Sequence, residues 1–164
     1  MLRFLVVMLL IGEVFAEGSR DDRPIYYGLK KIQFLVEGVG EELQREGVDR
    51  AEVTAIALKR LQLTGLEVLT EQKEKDAPTL KLNLMATAVK MAGAKEPIGY
   101  AVAYRLDLTE MASLLRRPSM GLQVGTWTRH GLITAPAGMV RRALKNNLWG
   151  VIDAFAVEYE KGAR

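Results

Sequence analysis

The chain contains no cysteine, one histidine and no acceptor sequence for N-linked glycosylation among its 164 residues. A disulfide framework, a cysteine nucleophile and a multi-histidine metal centre are therefore excluded within this chain. Basic residues barely outnumber acidic ones, 23 against 20, and a net charge of +3 gives little support for a nucleic-acid partner. We expect a fold stabilised by packing alone, with no cofactor, no metal ion and no nucleic acid bound.

What is present begins with the three-part layout of a secretory signal peptide. Met1-Leu2-Arg3 is basic, Phe4 to Ile11 are all apolar, and Val14 and Ala16 are small enough for the pockets of a signal peptidase. A buried N-terminal strand is the alternative interpretation. The apolar run is too short for a membrane span, which takes roughly 20 apolar residues. We therefore predict that residues 1–16 are a signal peptide.

The predicted cleavage has consequences for location and for domain organisation. It places the protein outside the bacterial cytoplasm, as a periplasmic or secreted protein with no stable membrane insertion after cleavage. Residues 17–24 are polar, lack periodicity and end in Pro24, which predicts a flexible leader. A single domain is predicted over residues 25–164.

The first half of this domain reads as strand, helix, strand. Apolar residues alternate over 32–36, which predicts a half-buried strand. Asp49 and Glu52 have the spacing of a capping box, so a helix is predicted from there to about Thr64. A short strand is predicted over 66–69, parallel to the first because a helix intervenes.

Three alternating segments follow, over 80–88, 98–108 and 120–127. Each places apolar residues on one side of the chain, and the first two are separated by a turn, so they predict a long hairpin followed by a last strand.

Between and after these strands the pattern changes. Met111 to Arg117 predicts a short helical turn before Pro118, and a loop is predicted around Pro136-Ala137-Gly138, after His130-Gly131. Apolar residues then recur at helical spacing from Val140 to Tyr159, which predicts a long amphipathic helix.

The predicted order is therefore β-α-β-β-β-β-α. The simplest way to bury both apolar helix stripes is an α+β two-layer sandwich, in which a mixed, mostly antiparallel sheet of about five strands carries two long helices on one face.

Some short segments resemble a group of small exported bacterial proteins of unknown function. They are Leu115-Arg116-Arg117-Pro118, Thr126-Trp127-Thr128, and Val151-Ile152-Asp153-Ala154-Phe155 with Tyr159. The predicted topology is also similar to the N-terminal domain of TolB and to CsgG-type periplasmic domains. These resemblances imply an exported module that docks on envelope partners.

Catalytic candidates are few. His130 is the sole imidazole, and it lacks a G-x-S-x-G nucleophile elsewhere in the chain, so we interpret it as a surface turn residue. Asp107 and Glu110 would form a general acid and base pair only if their carboxyl groups met. More often such residues are solvated groups at a strand end. We therefore predict no enzymatic activity and no catalytic residue.

A possible partner surface lies on the sheet face that the helices leave uncovered. Alternation places small residues there, with Trp127 among them, so that an aromatic side chain lies on an open surface. The competing interpretation is that Trp127 is packed in the core. The surface comprises Trp127, Gly125, Gln123, Ala101 and Ala103.

Two functions follow from these patterns. The first is a non-catalytic docking or assembly module that binds an envelope protein, or a second copy of itself, through the open face or an edge strand. The alternative is a periplasmic carrier that holds a small apolar ligand between sheet and helices. The pocket of such a carrier would be lined by Tyr100, Tyr104, Leu106 and Phe155.

Overall fold

The computed structural model describes residues 25–70, 74 and 76–163. The predicted signal peptide and leader lie outside these residues. In chain order the elements are β1 (Lys31–Val39), α1 (Glu41–Arg45), α2 (Arg50–Gln62), β2 (Glu67–Leu69), β3 (Thr79–Val89), β4 (Gly99–Leu114), β5 (Arg117–Pro136) and α3 (Val140–Gly162).

The five strands form one mixed sheet in the order β2-β1-β3-β4-β5. β1 pairs in parallel with both β2 and β3, whereas β3, β4 and β5 are antiparallel to their neighbours. The predicted fold class is confirmed, and so is the parallel pairing of the first two strands. The predicted order lacked only the short helix α1.

The helix α2 begins and ends close to the positions that the sequence predicts. The Asp49 side chain accepts a hydrogen bond from the Ala51 amide at 3.2 Å. Glu52, the other half of the predicted capping box, instead binds Arg141 of α3 at 2.9 Å. Gly65 has a φ of +82°, the left-handed conformation that lets the chain turn away after a helix.

The core lies between one face of the sheet and the helices α2 and α3. Phe34, Leu82 and Leu106 of the sheet are fully buried, as are Leu61 of α2 and Phe155 of α3. Burying a side chain of this size stabilises a fold by about 1.5–3 kcal/mol, so these contacts fix which face of the sheet the helices cover.

The β4–β5 hairpin is longer than the sequence predicts. Met111 to Arg117, predicted as a helical turn, continues β4 and turns tightly at Leu115-Arg116. The predicted last strand ends at Trp127, whereas β5 extends to Pro136, where the predicted loop begins. Antiparallel pairing with β4 overrides the local signals here, although the register shifts between Ser113 and Leu114. β5 is an edge strand, where a residue such as Pro118 is tolerated.

Part of this hairpin extends beyond the rest of the sheet. The pairing of β3 with β4 ends at Thr79 and Thr109, so residues 110–125 form two strands with no described third strand beside them. At about 3.4 Å per residue the five residues from Glu110 to Leu114 reach roughly 17 Å. We call residues 110–125 the projecting ribbon; the structure describes all of them, and none is buried.

Candidate functional site

The uncovered face of the sheet carries a shallow apolar groove at its β5 side. Two cross-strand rows form it: Met85, Ala103 and Leu132 are paired across β3, β4 and β5, and so are Asn83, Arg105 and His130. The groove has a volume of about 550 Å³ and is lined by Asn83, Met85, Ala103, Tyr104, Arg105, His130, Gly131 and Leu132. We call this site the open groove.

Strand alternation explains the open groove. Leu84 and Ile133 point into the core, so their chain neighbours Met85 and Leu132 must point away from it. These two side chains are 66% and 63% exposed, and they flank the same depression, so together they form one apolar patch on the uncovered face. Ala103 lies between them, and its short side chain leaves the depression.

A glycine of β5 accommodates a tyrosine ring on the helix side of the sheet, opposite the open groove, because Tyr104 and Gly131 alternate with Ala103 and Leu132. Gly131 is paired with Tyr104, and a Cβ atom at Gly131 would overlap the tyrosine ring. Glycine therefore allows the ring to lie across the neighbouring strand, an arrangement that covers a glycine within a sheet.

Trp127 does not lie on the uncovered face, so this part of the predicted partner surface is wrong. Its ring is 5.4 Å from that of Phe155, edge to face, and its Nε1 donates to Glu158 Oε2 at 2.7 Å. The reason is a bulge: Leu108 pairs with Trp127 and Thr109 with Gly125, so Thr126 is an extra residue. One extra residue reverses the alternation and turns Trp127 toward the helices.

The other four residues of the predicted partner surface lie on the uncovered face of the sheet. Ala103 lines the open groove, and Ala101 lies one row further along, opposite Thr87 and Thr134. Gln123 is at the base of the projecting ribbon, where its amide contacts Lys81 and Thr109. Gly125 pairs with Thr109 and leaves open space above it.

Glu158 of α3 joins the aromatic residues beneath the helix into one cluster. Its carboxylate accepts hydrogen bonds from Trp127 and from the Tyr26 hydroxyl at 3.2 Å, and lies 3.9 Å from Arg129. Burial raises the pKa of Tyr26, and the charge of Glu158 raises it further. Trp127 therefore has a structural role, which is the competing interpretation that the sequence left open.

The catalytic candidates are not brought together. The Asp107 carboxylate lies on the uncovered face, where Arg105 Nε contacts it at 2.8 Å and the Thr128 hydroxyl donates to it. Residues three apart on a strand point to opposite faces, so Glu110 is on the other side. Burial raises the pKa of Glu110, and a hydrogen bond from Thr126 partly offsets this.

His130 is exposed and lies within β5 opposite Arg105, so its predicted position in a turn is wrong. β5 extends past it because β4 offers a partner as far as Gly99. No group of three or more metal-binding side chains is found among the described residues.

The four residues of the predicted apolar pocket do not share a cavity. Leu106 and Phe155 have no accessible surface, so neither lines a space that a ligand would fill. The Tyr104 ring lies against Gly131 on the helix side of the sheet, where it packs against the core. Tyr100 lies at a different cavity, near Glu46 and Pro97.

Met85 and Leu132 were not among the predicted site residues. Met85 occupied a polar position of an alternating pattern, which is the available signal for an exposed apolar residue. Leu132 lay beyond the predicted last strand, which ended at Trp127. Within the described ranges, no helix has the length and apolar character needed to cross a membrane.

No protein-family model matches the chain, and no curated protein matches it either. Among solved structures it is similar to a minor lipoprotein from Acinetobacter baumannii, with 8% identity and a TM-score of 0.44, covering 81% of this chain and 94% of that one. It is also similar to rare lipoprotein B from Shewanella oneidensis, with 11% identity and a TM-score of 0.32, covering 79% and 98%.

A third similar structure is a homologue of the neuraminyllactose-binding hemagglutinin from Helicobacter pylori, with 11% identity and a TM-score of 0.34, covering 85% of this chain and 93% of that one. None of the three is a TolB or CsgG-type domain, so that resemblance stays a prediction. At TM-scores below 0.5 the function has to be inferred from the residues of this chain.

Proposed function

We propose that this chain is a non-catalytic, exported bacterial envelope protein that docks another protein through the open groove and the adjoining edge of β5. The observation that carries the proposal is the pair Met85 and Leu132, two largely exposed apolar side chains on either side of Ala103. A partner side chain inserted over Ala103 would remove both from water.

The edge of β5 supplies the second half of the docking surface. β5 is 20 residues long and has β4 as its neighbour on one side, with no described strand on the other. The backbone amides and carbonyls along such an edge accept an added strand. The groove is continuous with this edge, since Leu132 and His130 belong to β5.

The charges of β5 indicate the chemistry of the partner. Between residues 117 and 136 the strand contains Arg117, Arg129 and His130 but no acidic residue. A second copy would oppose basic groups with basic groups, which is unfavourable across paired strands. We therefore propose an extended segment of another protein that carries acidic residues and an apolar residue for the groove.

Site-specific photo-crosslinking in the native envelope tests this proposal. A photoreactive residue replaces Leu132 in one protein, and Arg142 on the exposed side of α3 in the control. We expect a discrete adduct from position 132, none from position 142, and loss of the adduct when Met85→Ser is added. Equal adducts from both positions, or none from position 132, would contradict the proposal.

The carrier alternative gives a different result in the same protein. A small apolar ligand bound in the open groove would appear as a mass increment in native mass spectrometry and would disappear in Met85→Ser. Such an increment without any protein adduct would replace docking by ligand carriage at the same site.

A further inference from the structure

The projecting ribbon has properties that play no part in the proposed protein docking. Its tip is apolar, basic and free of acidic residues. Leu115 at the turn is fully exposed, and Met111, Met120 and Leu122 are 45%, 45% and 39% exposed. A contiguous set of exposed apolar side chains indicates a binding surface.

The charged residues around this tip are all basic. No acidic residue occurs from Met111 to Ile152, whereas Arg116 and Arg117 follow directly after Leu115. Three other basic residues of this stretch have acidic partners: Arg141 and Lys145 bind Glu52, and Arg129 lies near Glu158. Arg142, on the exposed side of α3, has none among the described residues and lies far along the chain from the tip. In the described part of the chain, no carboxylate lies within ion-pair distance of Arg116 or Arg117. Their charge is therefore available to an external anion.

The shape of the ribbon restricts the kind of partner. The tip projects roughly 17 Å past the last residue pair shared with β3, so it can reach a surface before the body of the domain does. Its apolar side chains are on both faces: Met111 lies over Gly121 on one face, while Leu122 pairs with Ala112 on the other. A protein partner would contact one face and leave the other in water. A lipid layer surrounds a tip on all sides.

We propose that the tip of the projecting ribbon docks reversibly on a bilayer surface rich in anionic phospholipid. Leu115 and Met120 enter the boundary between headgroups and acyl chains, and Arg116 and Arg117 bind lipid phosphates. A few apolar side chains with two cations give weak, peripheral binding, and the ribbon does not cross the bilayer. This site is distinct from the open groove and does not depend on the proposed protein docking.

Vesicle flotation with the full chain tests this inference, using vesicles of phosphatidylcholine alone or mixed with phosphatidylglycerol. We expect binding only to the mixed vesicles, with most of it lost at 1 M salt because the Debye length falls to about 3 Å. Arg116→Gln with Arg117→Gln should weaken binding about thirtyfold, since each basic residue near such a surface contributes about a 5-fold factor.

Matched control variants separate the tip from general effects of charge and hydrophobicity. Arg142→Gln with Lys59→Gln removes two exposed charges elsewhere, and should leave vesicle binding within about twofold. Leu115→Ser with Met120→Ser should abolish flotation, whereas Leu63→Ser with Met91→Ser, at comparably exposed positions, should not. All variants have the same chain length, so any contribution of the N-terminal segment is the same in each.

The results that would overturn the inference are equally specific. Equal flotation with neutral and anionic vesicles, or equal losses in the tip and control variants, would exclude a charge-selective tip. If the tip variants lose the adduct formed from position 132 and the parent does not float, the tip is part of the protein-docking surface. Circular dichroism of each variant checks that the fold is retained.

Discussion

The inner and outer halves of the β4–β5 hairpin are both antiparallel strand pairs, but only the inner half is covered by helices. Near the body, Leu106, Leu108 and Ile133 are buried beneath the helices. In the projecting ribbon the same two strands continue without a buried residue, and no described strand lies beside them as a third. An isolated two-stranded hairpin is marginally stable in water. The inner half therefore stabilises the fold, whereas the outer half adds little buried surface to it.

The strongest test of this contrast removes one side chain from each half. Phe155→Ala should lower the free energy of unfolding by about 3–5 kcal/mol, because the ring is fully buried against Trp127 and Tyr26. Leu115→Ala should change it by less than about 0.5 kcal/mol. Urea denaturation measures both. Comparable losses would show that the ribbon has a core of its own.

The helix layer that covers the inner half depends on an ion pair between α2 and α3. Arg60 Nε contacts Asp153 Oδ1 at 2.6 Å, and its side chain is only 11% exposed. Arg60→Ala should lower the free energy of unfolding by about 2 kcal/mol, since Asp153 and Glu160 lose their cation in a partly buried setting. The exposed pair Arg45 and Glu41 is the control, and Arg45→Ala should have almost no effect on thermal stability.

A smaller loss of stability is expected from a substitution at Trp127, which the bulge turns toward the helices. Trp127→Phe keeps an aromatic ring near Phe155 and removes the hydrogen bond to Glu158, which should cost about 1 kcal/mol. If Trp127 instead lay on the uncovered face, the substitution would leave thermal stability unchanged. Tryptophan fluorescence of a Trp149→Phe variant gives a second readout, because Trp149 is exposed and would be quenched in the parent, whereas the remaining ring beneath α3 should be poorly accessible to a soluble quencher.

The smallest change in stability should come from a substitution of Glu110, which lies at the boundary between the inner and outer halves of the hairpin. Burial raises the pKa of Glu110 above its ordinary value of 4.5, so ionisation is easier in the unfolded chain than in the folded one. The parent should lose stability as pH rises from about 4.5 through the raised pKa. Glu110→Gln should therefore melt slightly higher at pH 7, and the difference should vanish near pH 4. A constant difference across this range would exclude the titration of Glu110 as its cause.

The inner half could be predicted from sequence because its patterns are long and regular. The alternation over β3 and the inner part of β4, and the helical spacing of α3, each follow from burial of one face. In the outer half the strand over 120–127 was predicted, but the outer end of β4 was not, because Met111 to Pro118 has local turn signals and no buried face imposes alternation there. The position of Trp127 depends on Thr126, and a single bulged residue leaves no periodic signal.

The open groove was only partly predictable. Ala101 and Ala103 were placed on the correct face because β4 is regular there. Leu132 was missed because the length of β5 is set by its pairing with β4 rather than by its own residues. Long-range pairing therefore decides which apolar side chains remain outside the core.

The two edges of the sheet differ in a way that limits assembly. β2 is a three-residue strand, and Lys31 beside it binds Glu67 and Glu74. β5 presents 20 residues. In the described part of the chain, no second edge has a length comparable to that of β5. If a strand is added to β5, as we propose, no equivalent edge remains for a further partner, so strand addition would give a closed complex and not a fibre.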